Sequence, residues 1–279
     1  MTASRSRIAA ALAGAMLAAM ATAAPASAQV AEREIPDEYP VYEFVCPDGG
    51  YQSGCDASDI ERAVDLEGVQ AADFAQRCLY RTEAECSVIA SGQVNRATDD
   101  PALNWQILGL QPSDGPYAEM LVLGEIGAPL PATLLSQQVD GYFDPPVAAR
   151  DGDGRFILHV PARNRGLGNA DLVLFTSGDG WNWTSAEQIM RQVDRLLPQG
   201  FWIASPVGFN FREGSAFALV RRDSDAGCCA TGGVVNVDFE QTDHSLNVSR
   251  VSFTRTQPVG EVHEAFPEDP SGMVEDDAG

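Results

Sequence analysis

Lysine is missing from this chain altogether: all 18 basic residues are arginine. That absence closes several enzyme classes, because a P-loop, a protein-kinase fold, a Schiff-base enzyme and a Ser-x-x-Lys acylase each need a lysine amine at the reacting centre. Histidine is nearly missing too, with only His159, His244 and His263 in 279 residues. There is no His-Glu-x-x-His or other close histidine pair, so a zincin-type metal centre is excluded. No Gly-x-Ser-x-Gly elbow occurs either. After residue 28 no apolar run reaches the ~20 residues that a membrane-spanning helix needs. Positive charge is scarce overall: 40 acids against 18 arginines leave a formal charge of −22. Such a field repels nucleic acid and anionic lipid and favours cations or basic partners. Nucleic acid and membrane insertion are therefore not expected.

What is present begins with an address. Arg5 and Arg7 form a basic head, residues 8–24 are an almost unbroken small-apolar run, and Ala26-Ser27-Ala28 is a small-x-small cleavage pattern. These are the parts of a secretory signal peptide, with the cut expected after Ala28 and a periplasmic or secreted protein as the product. The all-arginine, Ala- and Gly-rich composition points to a GC-rich bacterial genome.

Four regions follow from the pattern. Residues 1–28 are the signal, and residues 29–86 are an extended lead-in followed by a short Cys-bearing helical region. Residues 87–256 form an antiparallel β domain. Residues 257–279, with seven acids and three prolines, read as a disordered acidic tail. In the second region Ser58 and Glu61 stand three apart as a capping box, while residues 74–80 fit either a helix or the first arm of a hairpin. From residue 87 on, short runs rich in branched and aromatic residues recur at 86–94, 103–110, 117–126, 155–161, 171–176, 181–183, 201–204, 216–222, 233–240 and 245–253. Turn signals separate them, among them Asp151-Gly152-Asp153-Gly154 and Thr242-Asp243-His244. Connections this short favour antiparallel meanders over βαβ units. One amphipathic helix, 185–197, interrupts the series. Its stripe is Ile189, Met190, Val193, Leu196 and Leu197, opened by a Thr184/Glu187 box and stopped by Pro198 and Gly200. The fold class is mainly β (α+β), with this helix packed on a sheet.

Six cysteines in an exported chain imply disulfides. Cys46 and Cys55 bracket a Gly- and Pro-rich loop, and Cys78 and Cys86 bracket seven residues. These local pairs are the first choice over crossed ones. Cys228 and Cys229 are adjacent. They have three readings: a strained ring between the two, bonds to the N-terminal cysteines, or a redox or soft-metal site.

Several pieces of residues 141–233 stand together: Leu158-His159-Val160-Pro161, a Gly166–Asp171 turn, Gly180-Trp181, Leu197-Pro198-Gln199-Gly200, and Cys228-Cys229-Ala230-Thr231-Gly232-Gly233. This set resembles a family of uncharacterised exported proteins of proteobacteria that carry a Cys-Cys-Pro-Thr-Gly-Gly motif. Ala230 stands where that motif has proline. The resemblance implies no activity and transfers no site residues.

The remaining chemistry is sparse. Arg155 and Phe156 occupy positions in 151–156 that a calcium loop reserves for an oxygen ligand and a glycine. Gly166-Leu167-Gly168 leads into a strand and not the helix a dinucleotide loop requires. His159 reads as a packed strand residue, and a triad of His159, Ser177 and an aspartate has only composition behind it. Arg150, Arg155, Arg163 and Arg165 form a local basic cluster that neutralises neighbouring acids or clamps an anion. No catalytic, metal or cofactor residue is assigned. The sequence points to an exported, soluble, non-catalytic binding or accessory protein of the bacterial envelope, with an unknown protein or small molecule as ligand. Its face would be the loops around 162–170 and 223–233, with Arg163, Arg165 and Asn169 as contacts. The alternative is an envelope enzyme, either a carboxylate hydrolase or a thiol-disulfide protein using Cys228 and Cys229.

Overall fold

The computed structural model describes residues 44–96, 102–126, 132–165, 169–177, 180–204, 206–226, 229–242 and 246–256. The elements begin with helices α1 (Ala57–Ala63) and α2 (Asp73–Gln76) and a meander of β1 (Glu85–Val94), β2 (Leu103–Gln111), β3 (Ala118–Glu125) and β4 (Ala132–Val139). Next come β5 (Gly141–Phe143), β6 (Val147–Arg150), β7 (Phe156–Val160), β8 (Ala162–Asn164), β9 (Leu172–Ser177), β10 (Gly180–Ser185) and α3 (Ala186–Leu196). The last set is β11 (Phe201–Ile203), β12 (Gly208–Asn210), a 3-10 turn at Phe211–Glu213, β13 (Ser215–Arg222), β14 (Gly233–Gln241) and β15 (Leu246–Arg255).

The strands form a first sheet β1-β2-β3-β4, a middle sheet β10-β9-β7-β6, and an outer sheet β11-β13-β14-β15 with β12 also on β13. A ribbon of β5 and β8 completes the set. Every ladder is antiparallel. The chain is mostly β with few helices, as its turn spacing implies.

Three apolar cores separate the layers. The N-terminal cap contributes Ile60, Leu66, Phe74 and Leu79, which pack on Leu108, Leu110, Met120 and Val122 of the first sheet. The other face of that sheet (Trp105, Ile107, Leu121, Leu123) packs on Phe156, Leu158, Leu172 and Leu174 of the middle sheet. The opposite face of the middle sheet (Ile157, Val173, Phe175) meets α3 and the inner face of the outer sheet. The central strands of the first and middle sheets are thus covered on both sides, so β2, β3 and β9 are buried along nearly their whole length, polar residues included. The outer sheet alternates, burying every second residue of β13. Each fully buried Leu or Phe contributes about 1.5–3 kcal/mol.

The first sheet also carries buried polar side chains that hold the cap. Gln106 accepts from Leu79 N (3.0 Å) and donates to Phe74 O (2.9 Å) and Arg77 O (3.2 Å). Gln138 accepts from Val45 N (2.8 Å) and donates to Val45 O (2.9 Å). Glu119 accepts from the Tyr117 hydroxyl and from Phe143 N, joining the sheet to the β5–β8 ribbon. Backbone groups of an irregular cap have no ladder of their own, so side chains of the sheet supply the partners.

Local signals need some correction. The capping box of α1 is Asp56 with Asp59, not Ser58 with Glu61; aspartate fills both positions and escapes a Ser/Thr-x-x-Glu pattern. In α3 the box is Ser185 with Gln188. Thr184 and Ser185 both end β10, and while the Ser185 hydroxyl accepts from Gln188 N, the Thr184 hydroxyl donates to Gln188 Oε1 (2.8 Å). The helix itself matches 185–197, with Ile189, Val193 and Leu197 buried, although Leu196 is exposed. Residues 74–80 are neither a longer helix nor a hairpin arm: α2 stops at Gln76 and extended chain follows, bridged at Tyr80 to Val64. Strands β4, β5, β6, β8 and β12 are additional to those expected. β4 was hidden by Gln137 and Gln138, the latter buried for its hydrogen bonds, and the other four are only three or four residues long.

Cys46 pairs with Cys55 and Cys78 with Cys86, at Cα–Cα distances of 5.7 and 6.4 Å. Cys229 is disulfide-bonded as well, and because the N-terminal four pair among themselves the cross-link to them does not form. Cys228, the signal segment, the acidic tail, the 166–168 turn and the Asp243-His244 turn lie outside the described residues. Among the described residues no helix is long and apolar enough to cross a membrane.

Candidate functional site

The Cys46–Cys55 loop is the best-supported wall of a site. Its base is fixed at Val45, whose carbonyl accepts from both the Tyr80 hydroxyl (2.8 Å) and Gln138. Cys46 N donates to Gly50 O and Gly49 N to Cys46 O, closing a tight turn. Gly49 sits at φ +80, and a Cβ there would lie 2.7 Å from Ala84 N, so only glycine lets the turn pass against the chain at 83–84. Thr82 adds a bond from its hydroxyl to Cys46 O. The second wall is α1, tied to residue 81 by Arg81 N donating to Ala63 O.

Between these walls lies a groove of about 680 Å³. Cys46, Pro47, Cys55 and Ala63 give it apolar surface, and Asp48, Asp59, Arg62 and Arg81 give it charge. Hydrogen bonds from the Ser53 hydroxyl (2.7 Å) and Gly50 N (3.0 Å) hold the Asp48 carboxyl below the usual carboxylate range, so it stays ionised. Arg62 is ion-paired with Asp59 through Nη2 and donates from Nη1 to the Ser58 hydroxyl (2.9 Å), and Arg81 donates to Arg62 O while standing 3.9 Å from Asp65. Both arginine side chains remain about two-thirds exposed, at 68% and 69%. Of the five N–H donors on each guanidinium, some remain beyond these bonds and can meet a carboxylate.

The loops favoured from sequence are placed differently. Arg163 is exposed on β8. Arg165 is committed to Asp140 (3.3 Å) and to Tyr117 O (2.6 Å), and Arg155 to Asp151 and Asp153, so two of the four clustered arginines neutralise local acids. Asn169 is buried, not a contact residue; its amide donates to Asp171 Oδ1 (2.6 Å) and accepts from Val207 N (3.1 Å). The connection after β13 is organised by Asp225, which accepts from Arg222 N, Thr231 N and the Thr231 hydroxyl. Val207 stands level with Ala218 by the β12–β13 register, and the Asp225 connection begins four residues further along β13, about 13 Å away.

His159 points away from Phe156 and Leu158, as strand alternation requires, and stands edge-on to the stacked pair Phe209 and Phe211 at ring distances of 5.5 and 5.4 Å. Its Nε2 is 2.8 Å from Asp171 Oδ2. Asp171 also accepts from Ala162 N and is buried, a junction between β7, β8 and the start of α3. His159 pairs with Val173, which leaves Ser177 four residues along β9, about 13 Å away, so the His–Asp pair and this serine do not assemble a triad. A second groove of about 420 Å³ gathers Asp151, Asp153, Glu213 and Glu240. Three of those carboxylates are already engaged, Asp151 and Asp153 by Arg155 and Glu213 by Asn210.

Sequence reasoning saw Cys46–Cys55 as a staple and missed the groove beside it. Its lining comes from residues 46–55, 59–63 and 81, which only the folded cap brings together. The one signal was the density of Asp, Ser and Gly inside the loop. Comparison of the chain with protein-family models, with curated proteins and with solved structures finds no match.

Proposed function

We propose that this chain is an exported binding or accessory protein of the bacterial envelope, acting without catalysis, and that its ligand site is the groove beside the Cys46–Cys55 loop. The observation that carries this reading is the groove's construction: a disulfide-closed wall opposite a capped helix, with two accessible guanidinium forks and an ionised aspartate over an apolar floor. Preorganised walls reduce the ordering cost of binding. Forks and carboxylate together suit a small zwitterion such as an amino acid or a short peptide end, its carboxylate on Arg62 and Arg81 and its ammonium on Asp48. Export is supported by the Arg5/Arg7 head, the alanine-rich run and Ala26-Ser27-Ala28, and by the disulfides, which persist in oxidising compartments.

Calorimetric titration of the disulfide-intact mature chain with free amino acids and dipeptides tests the site. At least one zwitterion is expected to bind, and Arg62→Ala with Arg81→Ala is expected to weaken it tenfold or more, about 1.4 kcal/mol, with the melting transition kept. Binding that survives the double substitution, or none across the panel, discards the groove.

A further inference from the structure

The outer face of the outer sheet is a grid whose register is fixed by its ladders. Trp202 lies opposite Arg221; Leu219 opposite Val234 and Thr254; Phe217 opposite Gly208, Asn236 and Ser252; Ser215 opposite Asp238 and Arg250. Glu240 follows Asp238 on the same face of β14. In a chain of charge −22, the centre of this grid is apolar: Phe217 is 60% exposed, Leu219 53% and Val234 38%. The Phe217 ring lies on Gly208, where a Cβ would come within 2.6 Å of it. The aromatic is therefore seated on the sheet and presented outward, not folded into the core.

We infer that a second copy of this chain docks on this face. The charges argue for a copy over a foreign basic partner, because the rim is mixed and graded along the strands. Arg221 stands at one end and Asp238, paired with Arg250, and Glu240 at the other. Neither Arg221 nor Glu240 has an ion-pair partner among the described residues. A two-fold axis through the apolar rows runs the strands of the two copies antiparallel. It sets Leu219 and Val234 against Phe217 of the second copy and brings Arg221 to that copy's Asp238–Glu240 end. Five rows, spanning four intervals of about 6.8 Å, across four strands at about 4.8 Å give about 500 Å² per copy, and the pair meets the ≈1,000 Å² expected of a specific interface. Sheets packed face to face in this way sit about 10 Å apart with their strands nearly aligned. The net charge opposes approach at long range, but it is screened beyond about 10 Å at 0.1 M salt, whereas the facing charges meet at contact.

This inference is independent of the groove, which lies on the cap. Sedimentation equilibrium on the mature chain is the test. The wild type is expected to be dimeric at high-micromolar concentration and to dissociate on dilution. Phe217→Arg, at a position too exposed to affect folding, is expected to weaken association about thirtyfold, the effect of a central hot spot. Arg221→Glu is expected to weaken it less, and adding Glu240→Arg to restore it. A wild type that stays monomeric, or a dimer indifferent to Phe217→Arg, overturns the inference. A monomer that cross-links from position 217 to a different protein overturns it too and assigns the face to that protein.

Discussion

The middle and outer sheets are built from the same kinds of residue and differ in what covers them. On β9 of the middle sheet Leu172, Val173, Leu174 and Phe175 are all buried, because one face meets the first sheet and the other meets α3 and the outer sheet. On β13 of the outer sheet Ala216, Ala218 and Val220 are buried while Phe217, Leu219 and Arg221 face outward. A strand buried at every position therefore marks an interior layer and one buried at alternate positions marks a boundary layer. The boundary strand here is unusual in having Phe and Leu on its open side.

Paired truncations break this comparison most sharply. Phe175→Ala opens a cavity under two packed faces and is expected to cost about 3–5 kcal/mol. Phe217→Ala removes a side chain already 60% exposed and is expected to stay within about 0.5 kcal/mol at dilute concentration. Denaturant unfolding of the two variants measures the contrast. Similar losses would mean that the outer face is covered in solution by something stronger than the dimer inferred above.

A smaller effect is expected where the first sheet meets the cap. Gln106→Ala leaves Leu79 N, Phe74 O and Arg77 O without their partner, and a buried polar group left unpaired costs about 1–3 kcal/mol. The loss should be local: amide exchange at Leu79 is expected to accelerate while residues 172–175 of the middle sheet keep their protection. Uniform acceleration would show that the cap and sheets unfold as one unit.

The same contrast explains what could be read in the sequence. Residues 216–222, 233–240, 103–110 and 171–176 were legible as strands because each is a short run rich in branched and aromatic residues bounded by turn signals. The order of the layers was not legible, since a two-sided strand does not say which layer lies on which side. β4 was lost because Gln138 stands where a strand pattern wants an apolar residue, and its reason lies 93 residues away at Val45. The local disulfides were foreseeable from spacing. The groove they support was not, since Asp48, Arg62 and Arg81 come from separate stretches. The inward turn of Asn169 was not legible either, because a turn composition carries no information about which side chain turns inward.

The connection after β13 sharpens the comparison from the polar side, because hydrogen bonds to one carboxylate hold it where apolar burial holds the layers. Bonds from the Thr231 hydroxyl (2.5 Å), Thr231 N (2.9 Å) and Arg222 N (2.7 Å) keep the Asp225 carboxyl below the usual aspartate range, with the Arg222 charge adding to them. A carboxyl with a lower pKa folded than unfolded stabilises the fold above the unfolded value, about 3.9, and loses that contribution as pH falls through the folded value. The connection is thus expected to hold at neutral pH and to loosen in acid, at a pH where the packed middle sheet is still intact. Amide shifts of Thr231 followed by NMR from neutral pH downward should move at a midpoint below the ordinary aspartate value. In Asp225→Asn that titration should vanish, leaving the signals of residues 172–175 unchanged. A Thr231 midpoint at the ordinary value would mean that Asp225 is not held by these bonds, and the connection would then owe its shape to the bonded Cys229 instead.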